Sequence, residues 1–507
     1  MYQTNILEYL EASAKSYPER VAFSDGEESL TFAELHDRAM RIGSFLLSNE
    51  YTGECVAVFA KKSPDAIAAF LGVIYAGCYY VALDIDMGER RISEIIEKVR
   101  PRAMIFDRES RADAAKIGTG VKKYHIDVAK AHEIDYDALL SVRERQIDVD
   151  PIYVVFTSGS SGEAKGVVAS HASVIDYTET LCEALGFDGD TRFANQSPLY
   201  FDAPLKEIMP TLKKGACTYF VPRECFLFPI KLCEFLEKHS INTLCWVSSA
   251  LAILSGSGAL EKCKPQRLNK ICFGSELMPV REYEKWRRAY PDATFVNLYG
   301  PTEATGMSCY WIAGRELDEG EGVPIGKPFR NTEILLISGR RRADNGECGE
   351  IYIRGRSVTL GYFGEREMTA GAFVQNPLSD SYNDIVYRTG DIGRYNKRGE
   401  LVFVSRCDRQ IKRRGKKVSL DEIEAAAERC EGVERAAAVF DEQRQKIVLY
   451  YTARETGEGL ASRLSARLLR HALPDEYIRL EVMPRTANGK KDRVALDRIS
   501  RGERIYE

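Results

Sequence analysis

The sequence has almost no net charge. Its 71 Lys and Arg stand against 75 Asp and Glu, for a formal charge of −4, which gives no electrostatic reason to expect nucleic acid as the main partner. It also lacks any apolar run long enough to cross a bilayer. The first ten residues have no basic region and are interrupted by Asn5 and Glu8, unlike a secretory signal. The 13 cysteines form no CxxC pair and have no histidines at zinc-ligand spacing. Their odd number and scatter read as reduced thiols, many of them buried as small apolar residues, in a cytoplasmic protein. What is present, 44% hydrophobic and 29% charged residues, is the composition of a globular protein. At 507 residues the chain exceeds one ordinary core and predicts two or more domains.

One stretch organises the rest: Phe156-Thr157-Ser158-Gly159-Ser160-Ser161-Gly162-Glu163-Ala164-Lys165-Gly166-Val167. The apolar run 152–156 before it predicts a buried strand, and a second apolar run follows Lys165. Glycines let successive N–H groups point at an anion, and hydroxyls and a lysine are the other groups that phosphate oxygens attract. It is not a P-loop, because Gly166 stands where Ser or Thr would bind magnesium. On composition alone a flexible Ser/Gly linker is equally open.

Upstream, residues 5–16 have apolar positions at helical spacing. Thr31 with Glu34 three residues on predicts a capping box opening a helix. Cys55–Phe59 reads as a strand, Pro64–Tyr75 as a helix ended by Gly77, and Tyr79–Leu83 as a strand, an alternation that indicates α/β layering. Downstream, Pro204 behind Asp202 predicts a helix starting there with Asp202 as its cap. Strand-to-loop transitions follow at 270–276 and 297–303, and Gly349–Gly355 alternates like an antiparallel strand. Asp391 is read in a loop. The basic run 412–417 predicts two short strands around a glycine turn with solvated charges. Residues 419–428 and 460–471 are expected as helices, and 436–440 and 446–451 as strands.

The Ser/Gly stretch together with Asn297-Leu298-Tyr299-Gly300-Pro301-Thr302-Glu303-Ala304-Thr305 resembles the signature loops of the adenylate-forming superfamily. That superfamily includes acyl-CoA synthetases, adenylation domains of nonribosomal peptide synthetases and D-alanyl carrier protein ligases. The likeness covers nearly the whole chain, and its specificity lies in many motifs in one order. It implies a multidomain α/β fold of α+β character. Layered α/β subdomains and a β-rich part form a large N-terminal domain, 1–407, and a hinge at Asp408 joins it to a small mobile C-terminal α+β domain, 408–507. Ser405, where the family usually has glycine, is a departure just before that hinge, and 473–479 lacks the usual second proline.

By this resemblance, Thr157, Ser158, Gly159, Ser160, Ser161, Gly162 and Lys165 hold the ATP phosphates. Gly274 and Ser275 lie against the adenine, Tyr299 stacks on it, Asn297 contacts its edge and Gly300 belongs to the same nucleotide-binding set. Thr302 touches the phosphate and Glu303 ligates Mg²⁺, for which a hard carboxylate oxygen is suited. Asp391 contacts the ribose, Arg406 is a second ribose or phosphate contact, and Lys490, in Asn488-Gly489-Lys490, is the catalytic lysine. Asp202 holds the α-ammonium of an amino acid in a pocket lined by Ala203, Lys206, Cys245, Ile271, Phe273, Leu298, Gly306 and Met307. Phe273 and Met307 are large and imply a shallow or narrow pocket. Lys206 is its odd member, because a buried ammonium needs a partner. A substrate side-chain carboxylate, pairing with Asp202 four residues back, or snorkelling to solvent are the alternatives. Glutamate, aspartate and a small residue such as alanine all stay open as substrate.

The implied activity is ATP-dependent formation of an aminoacyl-AMP with release of pyrophosphate. Transfer to the phosphopantetheine thiol of a separate carrier protein follows. Nucleic acid and membranes are not expected partners. Two alternatives belong to other classes: an acyl- or aryl-CoA ligase, which needs no ammonium site, and a non-catalytic adenylate-binding protein.

Overall fold

The structure is a computed structural model that describes residues 3–118, 120–158, 164–317, 321–406, 410–413, 416–442, 444–453, 459–484 and 491–500. The chain divides into two compact units. One comprises 1–157 with 166–405, the other 158–165 with 406–507.

In the first unit a six-stranded sheet runs Lys122–His125, Ala103–Phe106, Cys55–Phe59, Tyr79–Leu83, Pro151–Ser158, Ala164–Ser170. The pairings among its first five strands are parallel. A nine-stranded sheet has Thr243–Val247, Lys270–Gly274 and Thr294–Tyr299 as parallel neighbours, with Cys309–Ile312 antiparallel at the side. Between them lies one continuous core, to which helices Leu7–Ser16, Phe32–Ser48, Pro64–Tyr75, His171–Leu185 and Leu205–Lys214 contribute. Local chemistry starts several of these helices. Thr31 accepts from Glu34 N while the Glu34 carboxylate accepts from Thr31 N, the capping box expected from the sequence. Ser63 caps the next helix, with Pro64 at its first position, where a missing N–H costs nothing. On its far side the nine-stranded sheet packs a second core around Trp246, Tyr283 and Trp286. A third, antiparallel sheet is built on Thr332–Ser338, Gly349–Gly355 and Ile385–Tyr395.

The second unit has the hairpin strands Gln410–Arg413 and Lys416–Ser419 and the helix Leu420–Glu428. Its three-stranded sheet runs Val433–Asp441, Lys446–Ala453, Glu476–Arg479. The period of two splits this sheet cleanly: Ala436, Ala438, Ile447 and Leu449 face one core, while Ala437, Val439, Val448 and Tyr450 face another.

Four local expectations are corrected. The helix near Asp202 begins at Leu205 with Pro204 as its cap residue, and no side chain caps it. Asp391 stands inside the strand Ile385–Tyr395 rather than in a loop. Arg413 is buried, donating to the carbonyls of His471 (3.1 Å) and Leu473 (2.9 Å) and pairing with Asp475, so this charge is not solvated. The helix expected over 460–471 ends at Ser465. The chain turns extended at Leu469, and a 3-10 turn, Arg470–Ala472, follows before Leu473, which precedes a proline and is held extended.

Candidate adenylate site

The parallel strands Lys270–Gly274 and Thr294–Tyr299 end side by side, which brings Gly274 and Ser275 beside the loop at Gly300. A Cβ on Gly274 would lie 2.3 Å from the Leu298 carbonyl oxygen, so only glycine permits this approach. Gly300 is equally constrained, since a Cβ there would meet the Gly306 carbonyl at 2.5 Å. The loop folds back through a 3-10 turn, Thr302–Ala304, and two left-handed residues, Thr305 and Gly306.

The fold ties this loop and its neighbours down. Glu303 is 4% exposed, and its Oε1 accepts from the Tyr362 hydroxyl at 2.9 Å. Its carbonyl accepts from the Thr359 N–H (3.0 Å) and hydroxyl (2.9 Å). Thr305 donates to the Ser357 carbonyl at 2.6 Å. The Tyr299 hydroxyl donates to Asp391 Oδ2 at 2.5 Å, and burial followed by that carboxylate raises the phenol well above its usual range. The Asp391 N–H donates to Thr389 Oγ1, which donates to the Ile351 carbonyl. Asn297 Nδ2 donates to the Pro324 carbonyl at 2.8 Å. Asn297, Tyr299, Thr302, Glu303 and Asp391 are all buried, forming a rigid frame of the kind that holds a ligand without reorganising.

The surroundings of Asp202 differ. Asp202 lies in the bend before Leu205–Lys214, where its carbonyl, not its side chain, accepts from Leu205 N. Among the described residues no hydrogen bond or ion pair engages its carboxylate. A Cβ on Gly306 would stand 3.6 Å from Asp202 Oδ2, which puts the loop glycine beside it. The Asp202 charge also reaches two buried phenols, Tyr153 and Tyr177, both raised well above their usual range, first by burial. The Tyr153 hydroxyl is buried without a hydrogen-bond partner. No sequence motif singles out these tyrosines, because they come from a strand and a helix remote in the chain.

Ala203 is half-buried and its carbonyl accepts from Lys206 N. Cys245, Leu298 and Met307 share the core between the sheets. Ile271 and Phe273 do not join them and are corrected as pocket residues. They pack in the core on the other face of the sheet, where the Phe273 ring lies 6.4 Å from that of Tyr283. The residue of that strand paired with Cys245 and facing the same core is Cys272. The pleat supplies the reason: neighbours in sequence point to opposite faces.

Lys206 is 1% exposed, and among the described residues its ammonium makes no hydrogen bond or ion pair. Pairing with Asp202 fails because Asp202 precedes the helix, and snorkelling fails because the side chain is buried. Glu207 next to it is also buried and accepts from Asn195 Nδ2 at 2.5 Å, and burial pushes its carboxyl up to about 8.

At the Ser/Gly stretch, the Thr157 carbonyl accepts from Arg91 at 3.3 Å. Ser158 ends the strand Pro151–Ser158, and Lys165 lies on Ala164–Ser170. Gly166, which argued against a P-loop, has a packing reason: a Cβ would lie 2.8 Å from Val154 and 2.9 Å from the Phe156 ring. Arg406 closes the strand Leu401–Arg406. Gly159, Ser160, Ser161, Gly162, Asp408 and Lys490 lie outside the described residues. Lys491, beside Lys490, is committed to Glu424, Glu428 and the Ala436 carbonyl.

Among the described residues no helix is long and apolar enough to cross a membrane, and no cluster of three or more His, Cys, Asp or Glu could hold a metal.

The chain is 30% identical over 510 residues to the D-alanine–D-alanyl carrier protein ligase of Bacillus velezensis, covering 96% of this chain and 98% of that one. It is 30% identical over 505 residues to the dimodular nonribosomal peptide synthase of Bacillus subtilis, where the match takes in 97% of this chain but 21% of the synthase. A solved nonribosomal peptide synthetase protein containing adenylation and PCP domains superposes with a TM-score of 0.83 at 25% identity, over 97% of this chain and 84% of that one. The sequence signature of the AMP-binding enzymes matches residues 10–363, and the chain belongs to the AMP-binding enzyme family.

Proposed function

We propose that the chain is an AMP-forming ligase that activates an amino acid and passes it to the phosphopantetheine thiol of a separate carrier protein. Attack of a carboxylate oxygen on the α-phosphorus of ATP expels pyrophosphate and leaves an aminoacyl-AMP. The carrier thiol then attacks its carbonyl and AMP departs. Charge builds on the phosphates in the first step, so positioning and electrostatics supply the catalysis. The Tyr299–Glu303 turn, Gly274, Ser275 and Asp391 hold the nucleotide, with Asn297 at the base edge and Thr302 at the phosphate. Thr157–Lys165 serve the phosphates, Arg406 the ribose or a phosphate, and Lys490 meets the developing charge.

Mg²⁺ usually takes one or two carboxylates plus substrate phosphates rather than an all-protein cage. A single buried Glu303 fits that donor set, and the ion, when bound, neutralises phosphate charge. Residues 408–507 form the mobile domain, with Asp408 as its hinge.

The observation that carries the amino-acid reading is Asp202, a carboxylate set beside Gly306, close enough for its charge to reach the buried Tyr153 hydroxyl, with no partner of its own among the described residues. An ammonium supplies that partner. The test is ATP–pyrophosphate exchange against L- and D-amino acids and simple aliphatic and aryl acids. It is followed by loading of a phosphopantetheinylated carrier protein. Exchange driven by an amino acid is expected; exchange only with acids lacking an amino group would move the chain to the CoA-ligase class.

A further inference from the structure

We infer that the amino acid activated here carries a carboxylate on its side chain, held by the Lys206 ammonium. This rests on the adenylation reading above and goes further by naming the substrate's charge. Lys206 is 1% exposed, and its ammonium has no hydrogen bond or ion pair among the described residues. A buried ammonium without a counter-charge is strongly disfavoured, so its retention asks for a partner that arrives with the ligand.

Three internal partners fail. Asp202 lies before the helix that carries Lys206, makes no ion pair with it, and is the group available to the α-ammonium. The carboxyl of Glu207 is close enough for the two charges to feel each other, yet forms no ion pair with Lys206. Glu207 is buried against Asn195, whose Nδ2 donates to Oε2 at 2.5 Å while Asn195 Oδ1 is buried without a donor. Burial holds the Glu207 proton up to about 8, and with no ion pair between them this carboxyl does not serve as the counter-charge of Lys206. Cys245, which feels the Lys206 charge, has its thiol held well above the usual range, first by burial and then by Cys272, so no thiolate forms.

The charge count then decides the substrate. Asp202 answers the ammonium, and the α-carboxylate is consumed by adenylation. Lys206 remains as one positive charge, which a side-chain carboxylate balances and a methyl, amide or hydroxyl does not.

The experiment is amino-acid-dependent ATP–pyrophosphate exchange with the full chain. It compares aspartate, glutamate and 2-aminoadipate with asparagine, glutamine and alanine, on the wild type and on Lys206→Met. One acidic amino acid is expected to exceed its amide by about 100-fold in kcat/KM. Lys206→Met is expected to bring the two within a few-fold through a rise in the acidic amino acid's KM, with the KM for ATP unchanged. Melting temperature confirms that the variant folds; if it does not, the wild-type discrimination alone decides. Preference of the wild type for a neutral or basic amino acid overturns the inference and leaves adenylation standing. Exchange with no amino acid at all overturns both.

Discussion

The two ends of the site are built in opposite ways. On the proposed nucleotide side the fold itself answers the Tyr299 hydroxyl with Asp391, the Asp391 N–H with Thr389, Glu303 Oε1 with Tyr362 and the Asn297 amide with the Pro324 carbonyl. On the proposed amino-acid side Asp202, Lys206 and the Tyr153 hydroxyl have no such answer among the described residues. A frame largely held by its own hydrogen bonds suits a ligand common to a whole family, because it recognises shape with little reorganisation. Unanswered charges, half-buried at Asp202 and buried at Lys206, suit a ligand particular to one member. The wrong substrate leaves them unpaired, and the penalty itself discriminates.

Substitutions on each side sharpen that contrast. Asp202→Asn keeps the shape and removes the charge. It is expected to lower amino-acid-dependent exchange by about 10²–10³-fold, the cost of leaving a buried ammonium uncompensated, while ATP affinity measured by titration stays the same. A comparable loss of ATP affinity would break the division between the two ends.

Glu207→Gln tests the neutral carboxyl through pH. The folded chain holds this proton up to about pH 8 and the unfolded chain releases it near 4.5. Stability tied to it is therefore present below about 4.5 and lost as pH rises toward 8. Lys62, lowered to about 8 by burial, contributes with the opposite sign and only above pH 8. The melting temperature of Glu207→Gln relative to wild type is expected to climb between pH 5 and pH 8, by an amount on the order of a few kcal/mol in stability. A difference flat with pH would show that Glu207 is ionised and pairs with Lys206.

Tyr299→Phe removes one bond from the satisfied side. A hydrogen bond to a charged group is worth about 1.5–3 kcal/mol, so thermal stability should drop by several degrees and the KM for ATP should rise, with no change in amino-acid preference. The smallest effect is expected at a position remote from both ends. Thr31→Ala deletes half of the capping box for about 1 kcal/mol, lowering the melting temperature and leaving exchange kinetics as they were.

Much of the fold was legible along the chain. The capping box at Thr31, the helix opened by Pro64 and the apolar strand at 152–156 rest on neighbours within a few residues, so local chemistry suffices to predict them. The family motifs also pointed to Gly274, Tyr299, Glu303 and Asp391, which strand register and the Tyr299–Asp391 hydrogen bond bring close together. Ile271 and Phe273 were misplaced because the face of a strand is set by its register with Cys245 and Val296, not by its own residues. The helix after Pro204 misled for a similar reason: the sequence allowed Asp202 to cap it, but the chain turns once more before the helix starts.

The sequence by itself determined the family, the alternation of strands and helices, and the residue types needed for adenylate chemistry, because these are written in short motifs and local periodicity. Only the tertiary structure decided that Lys206 is buried with no partner among the described residues, that Tyr153 and Tyr177 lie in the field of Asp202, and that Gly166 is a packing glycine. Each depends on groups brought together from distant parts of the chain by sheet register and helix docking, and desolvation then gives a side chain a meaning that its identity alone does not carry.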